Sequence, residues 1–333
     1  MRVLSDINHI DLAQWQHLVA ISPTATWFQT KDAYDFYASN PAEMTPFVFA
    51  VTDQDHLHGI IVGYVTKDTS PFRNFFTRRA IINGGPLLAE NIADDELTAL
   101  LLALRQSLHR KAIYIETRNF HSFHRHKSVF EACGFAYQKH LNFHIDTSDK
   151  DLMWSRITEA KRRQIRKAQA LGVTIAEPDS VEDVRAFYHI LHRLYRRRVK
   201  RPLFTETFFV HFYEQRLGRY LLVKYKNQVI GGVMCAVLSD ACIYEWYICG
   251  EDGIHRDLFP SVMATWAVMD YAATHGIKCF DVMGAGVPEV PYGVRDFKAD
   301  FGGELVEHGR FIHIPHPLLY RLGKAGVNFL NRR

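Results

Sequence analysis

The sequence predicts an α/β protein with mixed sheets, built as two tandem domains of similar plan. Three observations carry that expectation. The chain has 333 residues, room for roughly two domains of about 150 residues with a core each. Hydrophobic residues make up 47% and charged residues 23%, the balance of a folded protein rather than a disordered one. The third is an approximate duplication, in which a β-hairpin, a helix, a short buried strand and a terminal motif occur twice in the same order.

The elements follow in chain order. FVFAVTDQDHLHGIIVGYV, 47–65, reads as strand, polar turn, strand, and YLLVKYKNQVIGGVMCAVL, 220–238, repeats it, with Gly59 and Gly231 opening the second strand of each. Helical periodicity follows each hairpin, in ADDELTALLLALRQSLHRK and in FPSVMATWAVMDYAATHG. AIYIET, 112–117, and KCFDVMG, 278–284, then read as short buried strands. The copies end on FEACGF, 130–135, and FKADFGG, 297–303, with Phe130 and Phe297 separated by 167 residues. The polar stretch DTSDKDL, 146–152, is the expected join, giving domains 1–148 and 149–333, with Ser148 or Asp149 placed to cap the next helix. That helix is expected over 151–172, with Trp154, Ile157, Ile165 and Ala168 on its apolar side and Gly172 ending it.

Charge narrows the function. Net charge is only +4, but KRRQIRK, 161–167, has five basic residues in seven, and Arg193, Arg196, Arg197, Arg198, Lys200 and Arg201 follow in HRLYRRRVKR. Arg162, Arg163, Arg166 and Lys167 repel one another within two turns, so a polyanionic partner competes with a plain solvated face as the explanation. Arginine forks suit phosphate or carboxylate, and Pro202 is expected to end the helix that carries the second cluster.

The terminal motifs differ at one position. Copy one has Glu131 where copy two has Lys298. A packing requirement would not reverse the sign, so Lys298 is a candidate for a role particular to the second domain, against the alternative of a solvated lysine on a short helix. Asp281, at a strand end, is a weaker candidate for a general base, with bonding to local amides as its other reading. The five cysteines lack CxxC spacing and read as reduced core thiols. His121, His124 and His126 lack an acidic or thiol partner, so no metal is expected. No apolar run spans a bilayer and Asp6 and Asp11 break the N-terminus, so a cytoplasmic protein is expected. No GxSxG, Walker loop or GxGxxG occurs.

The series KRRQIRKAQALGVTI, IYEWYICG, LFPSVMATWAVMDYA, DVMGAG and YGVRDFKADFGGE, with GGPLL at 84–88, resembles the FemX/FemA/FemB family over nearly the whole chain. No charged heptad arm appears, so the compact FemX-like form is the nearer likeness. The resemblance implies two N-acetyltransferase-like (GNAT-like) domains and transfer of an amino acid from aminoacyl-tRNA to an amine on the stem peptide of a cell-wall precursor. It places the family's FK pair on Phe297 and Lys298, the lysine at the acyl-donor end. It makes Arg197, Arg198 and Arg201 candidates for gripping the precursor's diphosphate, and puts Tyr244 and Tyr247 along the peptide channel. Gln29 in TWFQT resembles a first-domain position, whereas the family's precursor-binding lysine has no equivalent. No cofactor is implied beyond aminoacyl-tRNA as co-substrate, and the acceptor is a UDP-linked or lipid-linked muropeptide. A monomer is the expectation, with no sequence signal that fixes the oligomeric state.

Two other readings stand beside it. An acyl-CoA-dependent N-acyltransferase of the same fold needs backbone amides at a helix start to hold pyrophosphate, but GEDGIHRDLFPSV lacks Gly-x-Gly and Phe130 and Phe297 replace the usual acid tyrosine. A non-catalytic RNA-binding module would rest on the basic blocks alone, without interleaved stacking aromatics. The tail PHPLLYRLGKAGVNFLNRR is expected to pack on the second domain, with contact to the inner membrane leaflet as the alternative reading.

Overall fold

The computed structural model describes residues 1–54, 56–67, 78–318 and 320–321. The chain divides into two units, Met1–His140 with Glu307–Arg333, and Leu141–Val306. The strands up to the first division are β1 (Arg2–Leu4), β2 (Met44–Asp53), β3 (His56–Thr66), β4 (Arg79–Gly84), β5 (Leu87–Leu88), β6 (Tyr114–Asn119) and β7 (Ala136–Gln138). Then come β8 (Leu141–Asp146), β9 (Val173–Ala176), β10 (Gly218–Tyr225), β11 (Gln228–Leu238), β12 (Cys242–Gly250), β13 (Cys279–Asp281) and β14 (Glu304–Glu307), and lastly β15 (Arg310–His313).

The first sheet runs β1-β2-β3-β4-β6-β15-β7, with β5 beside β3. The second runs β14-β8-β13-β12-β11-β10-β9. Apart from β5, their plans match. In each, a hairpin (β2/β3, β10/β11) is extended by an antiparallel strand (β4, β12), which pairs in parallel with the next (β6, β13). Parallel pairing needs a crossover, supplied by the helices Asp94–Leu108 and Pro260–Thr274. An antiparallel strand then follows in each sheet, β15 beside β6 and β8 beside β13. Both hairpins carry a register shift next to the glycine that opens the second strand, opposite Val51 at Gly59 and Val223 at Gly231.

Hydrophobic spacing explains each core. Leu97, Leu100, Leu101, Leu104 and Leu108 recur at helical intervals and bury with Ile61, Ile82 and Ile115. In the second unit, Val262, Met263, Trp266 and Met269 bury with Val223, Val233, Ile243 and Phe280.

Three expectations are corrected. The chain does not divide at 148. LNFHID alternates apolar and polar residues and pairs with β13 as a strand of the second sheet, so DTSDKDL runs from a strand end into a helix start inside that unit, with Asp149 accepting from the amides of Asp151 and Leu152. The helix expected over 151–172 is two, Lys150–Arg156 and Glu159–Ala170. Ile157 is extended between them with its side chain 1% exposed, and the Thr158 amide donates to the Asp300 carbonyl at 2.9 Å. The tail from Pro315 was expected on the second domain, yet its described residues follow β15, which completes the first unit's sheet between β6 and β7, and they meet residues of that unit. His316 Nε2 donates to the His109 carbonyl at 2.9 Å, and Tyr320 meets Tyr114 edge-on at 5.6 Å. Leu319, Leu322, Lys324, Phe329, Arg332 and Arg333 lie outside the described residues.

Candidate active site

Lys298 sits on the short helix Gly293–Ala299 and is 9% exposed. Its ammonium donates to the carbonyls of Val282 at 2.5 Å and Gly284 at 3.1 Å, and lies 3.0 Å from Glu245 Oε1. An ammonium has three N–H groups, and these three acceptors match them. The lysine is therefore no solvated helix end. It is the buried charge on which the strand end after β13 is hung. Its counterpart Glu131 is exposed and pairs with Lys127, one helical turn away at 3.8 Å.

Glu245 lies in β12 and is 5% exposed. Burial pushes its carboxyl above the usual range, and the Lys298 charge opposes that rise. It shares its strand face with Ile243, whereas Tyr244 is the register partner of Asp281. The pairing of Met234 with Tyr247 and of Cys235 with Glu245 leaves Trp246 as the extra residue of a β-bulge. A bulge lets neighbours turn the same way, and the Trp246 and Tyr247 rings are nearly parallel, at 6.1 Å and 23°. They join Phe208, Phe209 and Phe212 of the helix Glu206–Glu214. Tyr247 is half-buried there, 5.0 Å from Phe209, and Tyr244 is buried, which pushes its hydroxyl well above the ordinary tyrosine range.

Asp281 is 1% exposed and fully engaged. Oδ1 accepts from Asn142 Nδ2 at 2.8 Å and from the Met283 amide at 2.6 Å, and Oδ2 lies 3.1 Å from His144 Nε2. Asn142 Oδ1 accepts in turn from the Gly284 amide at 2.7 Å. The turn DVMGAG is thus held from two sides: its amides by Asp281 and Asn142, its carbonyls by Lys298. This accounts for Met283 at φ 52°, a left-handed conformation costly for a side-chain-bearing residue. Burial works against protonation of His144, but the Asp281 bond and charge outweigh it and raise the imidazole above its ordinary value. Asp281 is a positioning acceptor here rather than the candidate general base.

The remaining expected residues fall elsewhere. Phe297 is half-buried against Phe301 at 5.3 Å, with the Lys161 ammonium 4.5 Å over its ring. The helix Val181–Leu194 continues into a π-turn, Tyr195–Val199, closed by Lys200 at φ 51°. Arg197, Arg198 and Arg201 are exposed at this turn. The basic helix Glu159–Ala170 is less unneutralised than its sequence suggests. Arg162 donates to the Ser155 carbonyl at 2.8 Å, Arg166 lies 5.4 Å over Trp154, and Lys167 pairs with Asp257 at 2.6 Å; Arg163 is exposed. Gln29 belongs to the first unit and is 0% exposed. Its side chain accepts from the Thr26 amide at 2.8 Å and donates to the Gly85 carbonyl at 2.9 Å, which makes it a staple of that fold.

Glu245, Asn142 and His144 were not among the residues expected from the sequence. A lone acid in the apolar, aromatic run CIYEWYICG, and the polar alternation Asn142, His144, Asp146 in LNFHID, were the available signals. Among the described residues no acid, histidine and cysteine grouping could hold a metal ion, and no helix is long and apolar enough to cross a membrane.

Residues 155–299 match the family model described as the acetyltransferase (GNAT) domain. The second unit carries a GNAT acyltransferase domain. The structure of FemX superposes with a TM-score of 0.71 at 16% identity, covering 97% of this chain and 99% of that one. A tandem GNAT protein from the clavulanic acid biosynthesis pathway gives 0.57 at 12% identity, over 95% and 99% of the two chains. L-PGS from Bacillus licheniformis gives 0.55 at 12%, over 85% and 89%. At these identities the likeness is one of fold, and the two units are tandem GNAT-like domains. Among curated proteins no sequence matches this chain. Within the matched range, at the start of the crossover helix Pro260–Thr274, the Ser261 amide donates to Asp252 Oδ1 at 3.1 Å.

Proposed function

We propose that the chain is an aminoacyltransferase that takes an amino acid from aminoacyl-tRNA and joins it to an amine on the stem peptide of a UDP-linked or lipid-linked muropeptide. The observation that carries this reading is the buried Lys298, fixed by Glu245 and two carbonyls at the end of β13 in a GNAT domain. The reaction forms a C–N bond to the ester carbonyl carbon and breaks the bond to the 2′ or 3′ oxygen of the tRNA. A proton passes from the attacking amine to that leaving oxygen. Negative charge develops on the carbonyl oxygen, and a fixed cation in a dry site is the economical way to stabilise it. Lys298 meets that oxygen by exchanging the longer of its carbonyl contacts, that to Gly284, for it. Exposed Arg197, Arg198 and Arg201 suit the diphosphate of the acceptor. Arg163, with Arg162, Arg166 and Lys167 beside it, suits the tRNA backbone.

An acyl-CoA donor is the second reading, favoured by the family description of the matched domain. Against it stands Asp252, whose carboxylate already occupies the amide at the start of the helix Pro260–Thr274. A pyrophosphate there would meet like charge where it needs open N–H groups. Filter binding of charged against uncharged tRNA, alongside titration with acetyl-CoA, tests the choice. Saturable binding favouring charged tRNA is expected, and tight acetyl-CoA binding with tRNA indifferent would reverse it.

A further inference from the structure

One side-chain cluster lies apart from the groups that hold Lys298. β12 and β13 run parallel with Cys242 opposite Cys279, so the two thiols leave adjacent strands on the same face. Neighbouring strands are about 4.7–4.9 Å apart, inside the roughly 4.4–6.8 Å between Cα atoms that a disulfide bridges. Both thiols are free, and the Cys242 thiol donates to the Ile243 carbonyl at 3.8 Å. They are not equivalent. Cys279 is half-buried and lines a 340 Å³ cavity with His144, Asp146, Arg156 and Lys278. The neighbouring Cys242 lowers its thiol below the usual cysteine value; burial opposes this, the His144 charge assists, and the Asp281 and Asp146 carboxylates oppose it. Burial pushes the Cys242 thiol well above that value. Cys133, Cys235 and Cys249 are buried, and burial raises each of them. A thiolate-prone sulfur open to a cavity, backed by a protonated neighbour, is the arrangement of an attacking and a resolving cysteine.

We propose that Cys279 and Cys242 form a peroxide-oxidisable pair, a reversible modification site in the second unit. The Cys279 sulfur attacks one peroxide oxygen, so that an S–O bond forms, the O–O bond breaks and the departing hydroxide leaves as water with the proton Cys279 gave up. The Cys242 sulfur then attacks the sulfenic sulfur. An S–S bond forms, the S–O bond breaks, and the hydroxyl leaves as a second water with the Cys242 proton. Two thiols are oxidised by two electrons and one hydrogen peroxide is reduced to two waters. The bridge closes two residues before Asp281, on the strand pair that carries Glu245.

The test treats the full native chain with hydrogen peroxide and follows intact mass, then maps cross-linked peptides. The expected result is a loss of about 2 Da, restored by dithiothreitol, from one bridge joining Cys242 and Cys279. In Cys242→Ser, dimedone should label Cys279 about tenfold faster than any other cysteine, and Cys279→Ser should show neither bridge nor label at Cys242. A bridge between other cysteines, or oxidation that leaves both thiols alkylated as fast as in the untreated chain, would overturn the proposal. The mapping of the unsubstituted chain decides this even if a serine variant fails to fold.

Discussion

Lys298 and Glu245 are separated by 53 positions in sequence yet 3.0 Å apart in space, each almost without solvent. Removing one member of a buried pair strands the other's charge, at a cost of about 3–5 kcal/mol, whereas replacing both by apolar residues is often neutral. Lys298→Met alone should therefore lower the denaturant midpoint sharply, and Lys298→Met with Glu245→Met should recover part of the loss, the Val282 and Gly284 carbonyls still lacking their donor. Equal midpoints for the single and double variants would mean the pair is not coupled. Lys298 was legible because its motif recurs with the opposite charge in the first half of the chain. Glu245 was not, because nothing local announces a partner 53 residues downstream. Gln29 shows the converse: its motif suggested a binding position, but a fully buried amide with its hydrogen bonds made has no capacity left for a substrate.

At the scale of elements, β6 and β15 are tied by Glu116, which lies 2.6 Å from Arg310 and 3.1 Å from Arg118. Burial would raise the Glu116 carboxyl, but the Arg118 and Arg310 charges outweigh it and hold it at about 2, against 4.5 ordinarily. A depressed carboxyl stabilises the fold fully above its unfolded value, and the contribution is lost as pH falls from about 4.5 towards 2. That difference amounts to about 3 kcal/mol. Glu116→Gln should flatten this acid limb in a pH series of unfolding midpoints, and an unchanged slope would contradict the assignment. Glycines offer a second contrast. At Gly302, φ +78°, a Cβ would come within 2.5 Å of the Arg156 carbonyl oxygen, whereas at Gly172, φ +90°, it would meet nothing within 4 Å. Gly172→Ala should cost about 1–2 kcal/mol of backbone strain, and Gly302→Ala distinctly more, as read from the two midpoints. The break at Ile157 was illegible because helical periodicity continues across it; the interruption comes from tertiary burial of Ile157 and from the Asp300 carbonyl, which a local pattern does not contain.

For the whole molecule, the duplication was legible as a repeated order of hairpin, helix and strand, and it corresponds to two sheets of one topology. The join was not, since LNFHID reads equally well as the last strand of one sheet or a strand of the next, and only its pairing with β13 decides. Function at this scale rests on surfaces as well as on the buried centre. Because Arg197, Arg198 and Arg201 are exposed, their joint replacement by Gln should leave the unfolding midpoint within about 0.5 kcal/mol. It should raise KM for a diphosphate-bearing acceptor with little change in kcat, and a loss of kcat alone would argue against a binding role. The most direct measurement is transfer of a labelled amino acid from charged tRNA to a UDP-linked muropeptide, with acetyl-CoA as the competing donor. It is run with the unsubstituted chain and with the Lys298→Met, Glu245→Met double variant, checked for fold by circular dichroism. The expected result is tRNA-dependent transfer that falls by about 10²–10³ in the folded variant. Transfer from acetyl-CoA without tRNA, or an undiminished rate in the variant, would contradict it.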